Sequence, residues 1–324
     1  MTEMNMVDAI NSALDNEMAN DKSIVLLGED IGEDGGVFRV TDGLAKKYGN
    51  NRVMDSPLAE AGIMGVSIGM AVMGLKPILE IQFDGFSITT LDQVYNHASR
   101  IRNRSRGLYH CPITLRCPIG GGIRALEHHS ESPETFFAHI PGIKVVIPSG
   151  PYEAKGLLIS SIRDPDPVIF YEPKRIYRAI KEDVPETAYT IPLGKAKVVR
   201  EGNSMTLITY GSWLRESLEA VDELKADVEV IDLRTISPLD TETIINSVKK
   251  TGRVVIVHEA PKNLGVAAEI IARINESAFY SLEAPIERVT GYDTIMPLAS
   301  YEKLYLLNKE KIGKAITKVL SIKE

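Results

Sequence analysis

Short apolar runs that do not alternate set the first constraint on this chain. "SIVLLGED" (23–30), "PILEIQF" (77–83), "PITLRCP" (112–118), "KVVIPS" (144–149) and "PVIFYEP" (167–173) carry apolar side chains on neighbouring positions. Successive side chains of a strand point to opposite faces, so a run apolar on both sets is covered on both faces, as in a parallel sheet between helical layers. Helical patterning near 3–19, 59–74, 90–106 and 151–163 falls between these runs and supplies the crossovers that parallel strands need. The expectation is an α/β layer fold with a mainly parallel sheet.

The rhythm is lost from about Glu172 to Pro192, where "EPKRIYRAIKEDVPETAYTIP" gathers proline and charge and reads as a linker. Beyond it, "SMTLITYG", "DVEVIDLR" and "GRVVIVHEA" read as three strands, with helices at 212–225, 240–250 and 308–321. A chain of 324 residues exceeds what one compact core usually holds. We expect two units, residues 1–185 and a smaller α/β unit of residues 186–324.

Composition narrows the function. A formal net charge of −7 argues against a surface that tracks nucleic acid. The local exception, Arg100, Arg102, Arg104 and Arg106 in "SRIRNRSRG", reads as a solvated or subunit-facing helix end whose cations suit the negative C-terminal dipole. Cys111 and Cys117 form no CxxC pair, which fits a reducing compartment. The start "MTEMNMVDAI" lacks secretory or transit character, and a cytoplasmic protein is expected. "AGIMGVSIGMAVMG" (61–74) is too short to span a bilayer and reads as a buried helix.

Three places could carry chemistry. Glu29 and Asp30, at the end of the first long strand, are either positioned carboxylates or solvated turn acids; "GEDIGEDGG" is not GxGxxG, and its acids would repel a pyrophosphate. Glu60 opens a helix whose glycines at 62, 65, 69 and 74 offer a smooth face. Its carboxylate either complements the helix dipole or, if dry, exchanges a proton near neutrality. The chain has six histidines, three of them His128, His129 and His139. Their spacing does not suit zinc, so one of the adjacent pair could face a cleft while His139 packs at a helix end.

These residues carry a resemblance. "PLAEAGIMGVSIGMAVMGLKPILEIQF", "LDQVYNHASRIR", "HSESPETFFAHIPGIKVVIPSGPYEAKGLLISSIRDPDPVIFYEPKRIYR", "VIDLRTISPLD" and "GYDTIMP" resemble, in order and over essentially the whole chain, the beta subunit of the thiamin-diphosphate-dependent decarboxylating component of 2-oxo acid dehydrogenase complexes. The resemblance implies a thiamin-diphosphate-binding, pyrimidine-type domain with a mainly parallel sheet, plus a smaller transketolase C-terminal-like α/β domain. It implies that Glu60 hydrogen-bonds the aminopyrimidine ring nitrogen, a position that needs a carboxylic acid. Leu58, Gln82 and Phe86 match positions lining the aminopyrimidine pocket, Phe86 standing where relatives often have tyrosine. Glu29 matches an acid of a proton relay between cofactor sites. "H-S-x-S-P-E" places the active-site histidine at His129, as proton or hydrogen-bond donor while the acyl group passes to a lipoyl group.

Further implications concern ions and partners. A structural potassium ion would be held mainly by backbone carbonyls, with Ile113, Ser161, Asp164 and Asp166 as contributors. The GDG-to-asparagine motif that holds the diphosphate through magnesium is missing, so an alpha subunit would hold both, in an alpha-2 beta-2 tetramer. A lipoyl-bearing dihydrolipoyl acyltransferase core would dock the C-terminal domain, with Asp293 of "GYDT" as a contact. "GYDT" and "FFAHIPGIKVVIP" look more like branched-chain enzymes, with pyruvate or acetoin as the alternative 2-oxo acid substrate. Outside this class stand a non-catalytic assembly subunit, against which Glu60 and His129 speak, and a nucleotide-binding oxidoreductase, which would need the missing GxGxxG turn.

Overall fold

The computed structural model describes residues 1–322. A seven-stranded sheet runs in the spatial order Thr235–Ser237, Lys144–Val146, Val168–Pro173, Thr114–Ile119, Lys76–Glu80, Ile24–Gly28, Val53–Asp55. Neighbours are parallel except Thr235–Ser237, which pairs antiparallel with Lys144–Val146. The unalternating runs are these strands, and the reason is visible one residue at a time. Leu27, Leu79, Val145 and Ile169 enter one core, while Leu26, Ile78, Val146 and Phe170, their chain neighbours, enter the other. Helices Met6–Asn20 and Pro151–Arg163 cover the second face together, with Met6, Ile10 and Leu14 of one and Leu157 and Leu158 of the other in the same core. The first is started by Asn5, whose side chain accepts from the Asp8 amide while the Asp8 carboxylate answers the Asn5 amide.

A second sheet runs Glu287–Gly291, Val254–Pro261, Met205–Thr209, Val228–Asp232, Lys197–Arg200, parallel but for the last pair. Three of its strands were legible as apolar runs. Lys197–Arg200 and Glu287–Gly291 were not, because both are half-buried and charged and lie on the outside of the sheet. The helix Val266–Ala278 was also missed. The stretch read as a linker is structured: Lys181–Val184 pairs antiparallel with Thr2–Asn5, and Ile191 is buried. Its charges sit on a two-stranded ribbon exposed on one side, which is why the residues looked unpatterned. The helix expected at 90–106 is broken into Leu91–Asn96, a 3₁₀ turn at Ala98–Arg100 and Ile101–Arg104.

Polar groups tie three central strands of the first sheet. The buried Arg116 guanidinium donates to Glu80 Oε2 at 2.7 Å and to Glu172 Oε1 and Oε2 at 2.7 and 3.0 Å, and Tyr177 adds its hydroxyl to Glu172 at 2.6 Å. Removing one member of such a buried set strands the others' charge. Arg116→Ala is expected to cost about 3–5 kcal/mol of unfolding free energy, read from urea denaturation.

The two sheets meet over buried acids. Tyr210 donates to Glu134 Oε1 at 2.7 Å, and Ser149 to Asp232 Oδ1 at 2.8 Å. Burial pushes the Glu134 carboxyl from 4.5 up to about 7, with the Tyr210 hydrogen bond opposing. The folded state therefore holds a proton that the unfolded chain releases, and this group's contribution falls as pH rises from 4.5 to about 7. Glu134→Gln should gain stability relative to the parent protein across that window, seen as unfolding midpoints that diverge between about pH 5 and about pH 8.

Candidate active site

Four neighbouring parallel strands, Thr114–Ile119, Lys76–Glu80, Ile24–Gly28 and Val53–Asp55, end on the same side of the sheet. The segments leaving those ends carry the sequence candidates: His129 after the first, Gln82 and Phe86 after the second, Glu29 after the third, Leu58 and Glu60 after the fourth. Parallel strands deliver their outgoing loops to one place, which is where α/β sheets bind ligands.

Glu29 lies one residue beyond its strand and is only 5% exposed, with neither carboxylate oxygen hydrogen-bonded. Burial, and then the charge of Glu60, raise its pKa; the nearby Ala59 amide opposes the shift without closing a hydrogen bond. Glu60 is the first residue of the Glu60–Val72 helix, which has no side-chain cap. Gln82 donates to Asp30 Oδ2 at 3.0 Å.

His129 lies in the 3₁₀ turn Glu127–His129. Its ring meets Phe83 edge-on at 4.2 Å between centroids and Phe86 at 5.2 Å. Its Nδ1 is buried without a partner. Desolvation by this setting, then the Lys174 and His128 charges, lower its pKa, with Glu127 opposing. A neutral imidazole near pH 7 can accept a proton or, through its N–H, donate a hydrogen bond. His128 is exposed and touches Phe86 at 5.5 Å. His139 follows the Glu134–Ala138 helix as expected, but is exposed rather than packed.

Sequence reading missed the support beneath His129. Asp84, fully buried, is paired with the equally buried Lys174 and also accepts from the Gly120 amide at 2.9 Å. Nothing in "QFDGFS" flags a buried ion pair, because its partner lies 90 residues away.

The glycine-bearing helix corrects an expectation. Only Ile63, Met64, Ser67 and Ala71 are buried, whereas Val66 and Met73 are exposed and Leu58, just before the helix, is 78% exposed. A Cβ at Gly69 or Gly74 would touch nothing within 4 Å, so the smooth face points outward. The helix is largely apolar all round, and this chain covers only one of its sides.

At the expected potassium position, the Asp164 carboxylate takes Lys144 at 2.6 and 2.7 Å and the Asp166 amide at 2.9 Å, and Asp166 meets Arg102 at 3.1 Å. The carbonyls of Ile113 and Ser161 accept from Val168 and Asp164 respectively, each keeping a second lone pair. The two aspartate side chains are thus neutralised within the protein. Among the described residues no helix is long and apolar enough to cross a membrane.

Residues 2–180 match the family model of the transketolase pyrimidine binding domain, and residues 194–312 that of the transketolase C-terminal domain. The pyruvate dehydrogenase E1 component subunit beta of Acholeplasma laidlawii is 56% identical over 98% of this chain and 98% of its own length. Its counterpart in Bacillus subtilis (strain 168) is 50% identical over 99% of each. The chain belongs to the E1 beta-subunit family of 2-oxo acid dehydrogenases. It is thereby an oxidoreductase subunit of a thiamin-diphosphate-dependent family. A split gene transketolase described as an inactive beta4 tetramer shares the fold of this E1 beta chain, with a TM-score of 0.81, 20% identity and 99% of each chain covered.

The leaning towards a branched-chain enzyme finds no support among these relatives, which are named for pyruvate. The stretches behind it report packing instead. Phe137, Ile140, Ile143 and Val145 of "FFAHIPGIKVVIP" are core residues, and Gly291 of "GYDT" is buried where a Cβ would lie 2.9 Å from the Tyr305 hydroxyl oxygen.

The site of this E1 beta chain fits an aminopyrimidine. Glu29 is a buried acid without a partner, Glu60 stands half-buried at a helix start, and Phe83 and Phe86 make an aromatic wall beside His129. The His129 imidazole is expected to titrate below the usual 6.5, and Phe83→Ala, by admitting water, to move it upward; histidine NMR across pH checks both.

Proposed function

We propose that this chain is the beta subunit of a pyruvate-decarboxylating E1, which acts only with an alpha subunit and reductively acylates a lipoyl domain. The observation that carries the reading is that the segments bearing Glu29, Glu60, Phe86 and His129 leave neighbouring parallel strand ends on one side of the sheet, with a Glu29 carboxylate that is buried and unpaired. The names of the relatives favour pyruvate over branched-chain or acetoin substrates.

Thiamin diphosphate, when bound, supplies the carbanion-stabilising centre for decarboxylation. In this reading Glu60 holds a proton at the aminopyrimidine ring nitrogen, Leu58, Gln82 and Phe86 seat the ring, and Glu29 moves a proton beside it. His129 hands a hydrogen bond or proton to the reacting oxygen from a ring held by Phe83. The alpha subunit supplies the diphosphate and magnesium sites in an alpha-2 beta-2 tetramer, and its surface covers the exposed side of the Glu60–Val72 helix. Burying Leu58, Val66 and Met73 there would contribute about 1.5–3 kcal/mol per large side chain.

The same reading assigns a pyrimidine-binding unit to residues 1–185 and a C-terminal unit to residues 186–324. It places potassium on the carbonyls of Ile113, Ser161, Asp164 and Asp166, and the complex in the cytoplasm. It gives Asp293, exposed with Oδ1 accepting the Asn263 amide at 2.7 Å, to the docking of the acyltransferase core.

The test is calorimetric titration of thiamin diphosphate and magnesium into the chain alone and into the chain assembled with its alpha partner. Tight binding is expected only in the assembly, with pyruvate the preferred 2-oxo acid. Glu60→Gln, which loses the exchangeable proton, should slow decarboxylation by about 100-fold or more. Full activity of that variant would refute the assigned role of Glu60.

A further inference from the structure

The glycine run that carries the chain from the Thr114–Ile119 strand towards His129 is held through its backbone amides by carboxylates. Gly120 shares its N–H between Asp84 Oδ2 and the Glu131 carbonyl, both at 2.9 Å. Gly121 donates to Glu259 Oε1 at 2.5 Å, and Gly122 to Glu302 Oε1 at 2.8 Å. Arg124 donates to both Glu302 oxygens, at 3.1 and 3.2 Å. Glu259 lies within the Val254–Pro261 strand and Glu302 opens the Glu302–Tyr305 helix, so two of the three carboxylates come from the C-terminal half.

The backbone is shaped for this. Gly120, Gly122 and Arg124 have φ of 83°, 98° and 60°, and alternating such conformations with ordinary ones turns successive N–H groups to one side as an anion nest. A Cβ at Gly121 would lie 2.7 Å from Met296 Cε of the C-terminal half, and one at Gly122 2.6 Å from Arg175 Cδ of the N-terminal half, so both halves pack closely on the loop. Glu302 is 3% exposed and Glu259 8%, the latter also fixed by the Trp213 indole N–H at 3.0 Å. Between Arg124 and His129 the chain is on the surface, with Leu126 62% exposed. The turn that carries His129 is thus anchored at its entry by Glu302 and at its exit by the phenylalanine rings.

We propose that Glu302, assisted by Glu259, is a positioning residue for His129: the C-terminal half sets where the imidazole stands by gripping the amides of the loop before it. This rests on the active-site role given to His129 above. Carboxylate-to-amide bonds are charge-assisted, and placing them on consecutive amides fixes backbone position rather than one side chain.

The test uses the chain assembled with its alpha subunit and compares Glu302→Ala, Glu302→Gln, His129→Ala and the Glu302→Ala/His129→Ala pair. Glu302→Ala is expected to lower kcat by about 10- to 100-fold with KM for the 2-oxo acid within about threefold, since displacement of about 1 Å at a reacting group costs that much. Glu302→Gln, which keeps one acceptor oxygen, should recover part of the rate. On top of His129→Ala, Glu302→Ala should cost less than about twofold, because both act through one group. Without substrate, amide hydrogen exchange across residues 120–126 should speed up in Glu302→Ala while the strands keep their protection.

Unchanged kcat in Glu302→Ala, or a loss that multiplies with His129→Ala, overturns the proposal. A full-rate His129→Ala overturns the functional reading beneath it, and with it the route through His129. A slow His129→Ala beside a full-rate Glu302→Ala overturns the positioning role alone.

Discussion

One guanidinium holds the centre of the first sheet. Arg116 is 1% exposed and reaches Glu80 on one neighbouring strand and Glu172 on the other. Apolar packing would hold these strands at similar free energy, but apolar side chains slide and repack, whereas a forked donor between two carboxylates has one geometry. The consequence is positional. Glu80 is the last residue of its strand, and Gln82, Phe83, Asp84 and Phe86 follow at once. Whatever fixes Glu80 fixes the start of the segment against which His129 packs.

The site above this tie keeps polar groups away from water and from one another's partners. Glu29 has no hydrogen bond for its carboxylate, and His129 none for Nδ1. An unsatisfied buried polar group costs about 1–3 kcal/mol, and a ligand is one of the things that can repay it. By contrast Asp84, Glu259 and Glu302, equally buried, are fully engaged with amides and cations. Glu134 and Asp232, at the seam between the sheets, each leave one oxygen unpaired, whereas Glu29 leaves both.

Much of this was legible in the amino-acid order. Both-face burial gave the parallel strands, because Leu26 and Leu27, or Ile169 and Phe170, can be apolar together only when two cores exist. The resemblance supplied Glu60, Phe86 and His129, and the topology brings their segments together. What sequence could not carry was long-range pairing of polar groups. Glu302 meets Gly122 across 180 residues, and Glu259 meets Gly121 across 138. Nor did pattern distinguish the Glu60–Val72 helix, apolar on every side, from one buried all round; which side the rest of the chain leaves uncovered is set by tertiary packing, not by the run of letters.

The short strand Thr235–Ser237 closes the first sheet although it belongs to the later half of the chain. Remove it, and Lys144–Val146, buried at Val145 and Val146, presents an unpaired row of N–H and C=O groups beside bare apolar surface. Such a rim is a template for pairing with another molecule. During synthesis the first sheet therefore waits, with one flank open, until about 90 more residues have emerged after its own Lys144–Val146 strand. A polypeptide cut between the two units would inherit that open flank permanently, and would be expected to self-associate rather than persist as a tidy half.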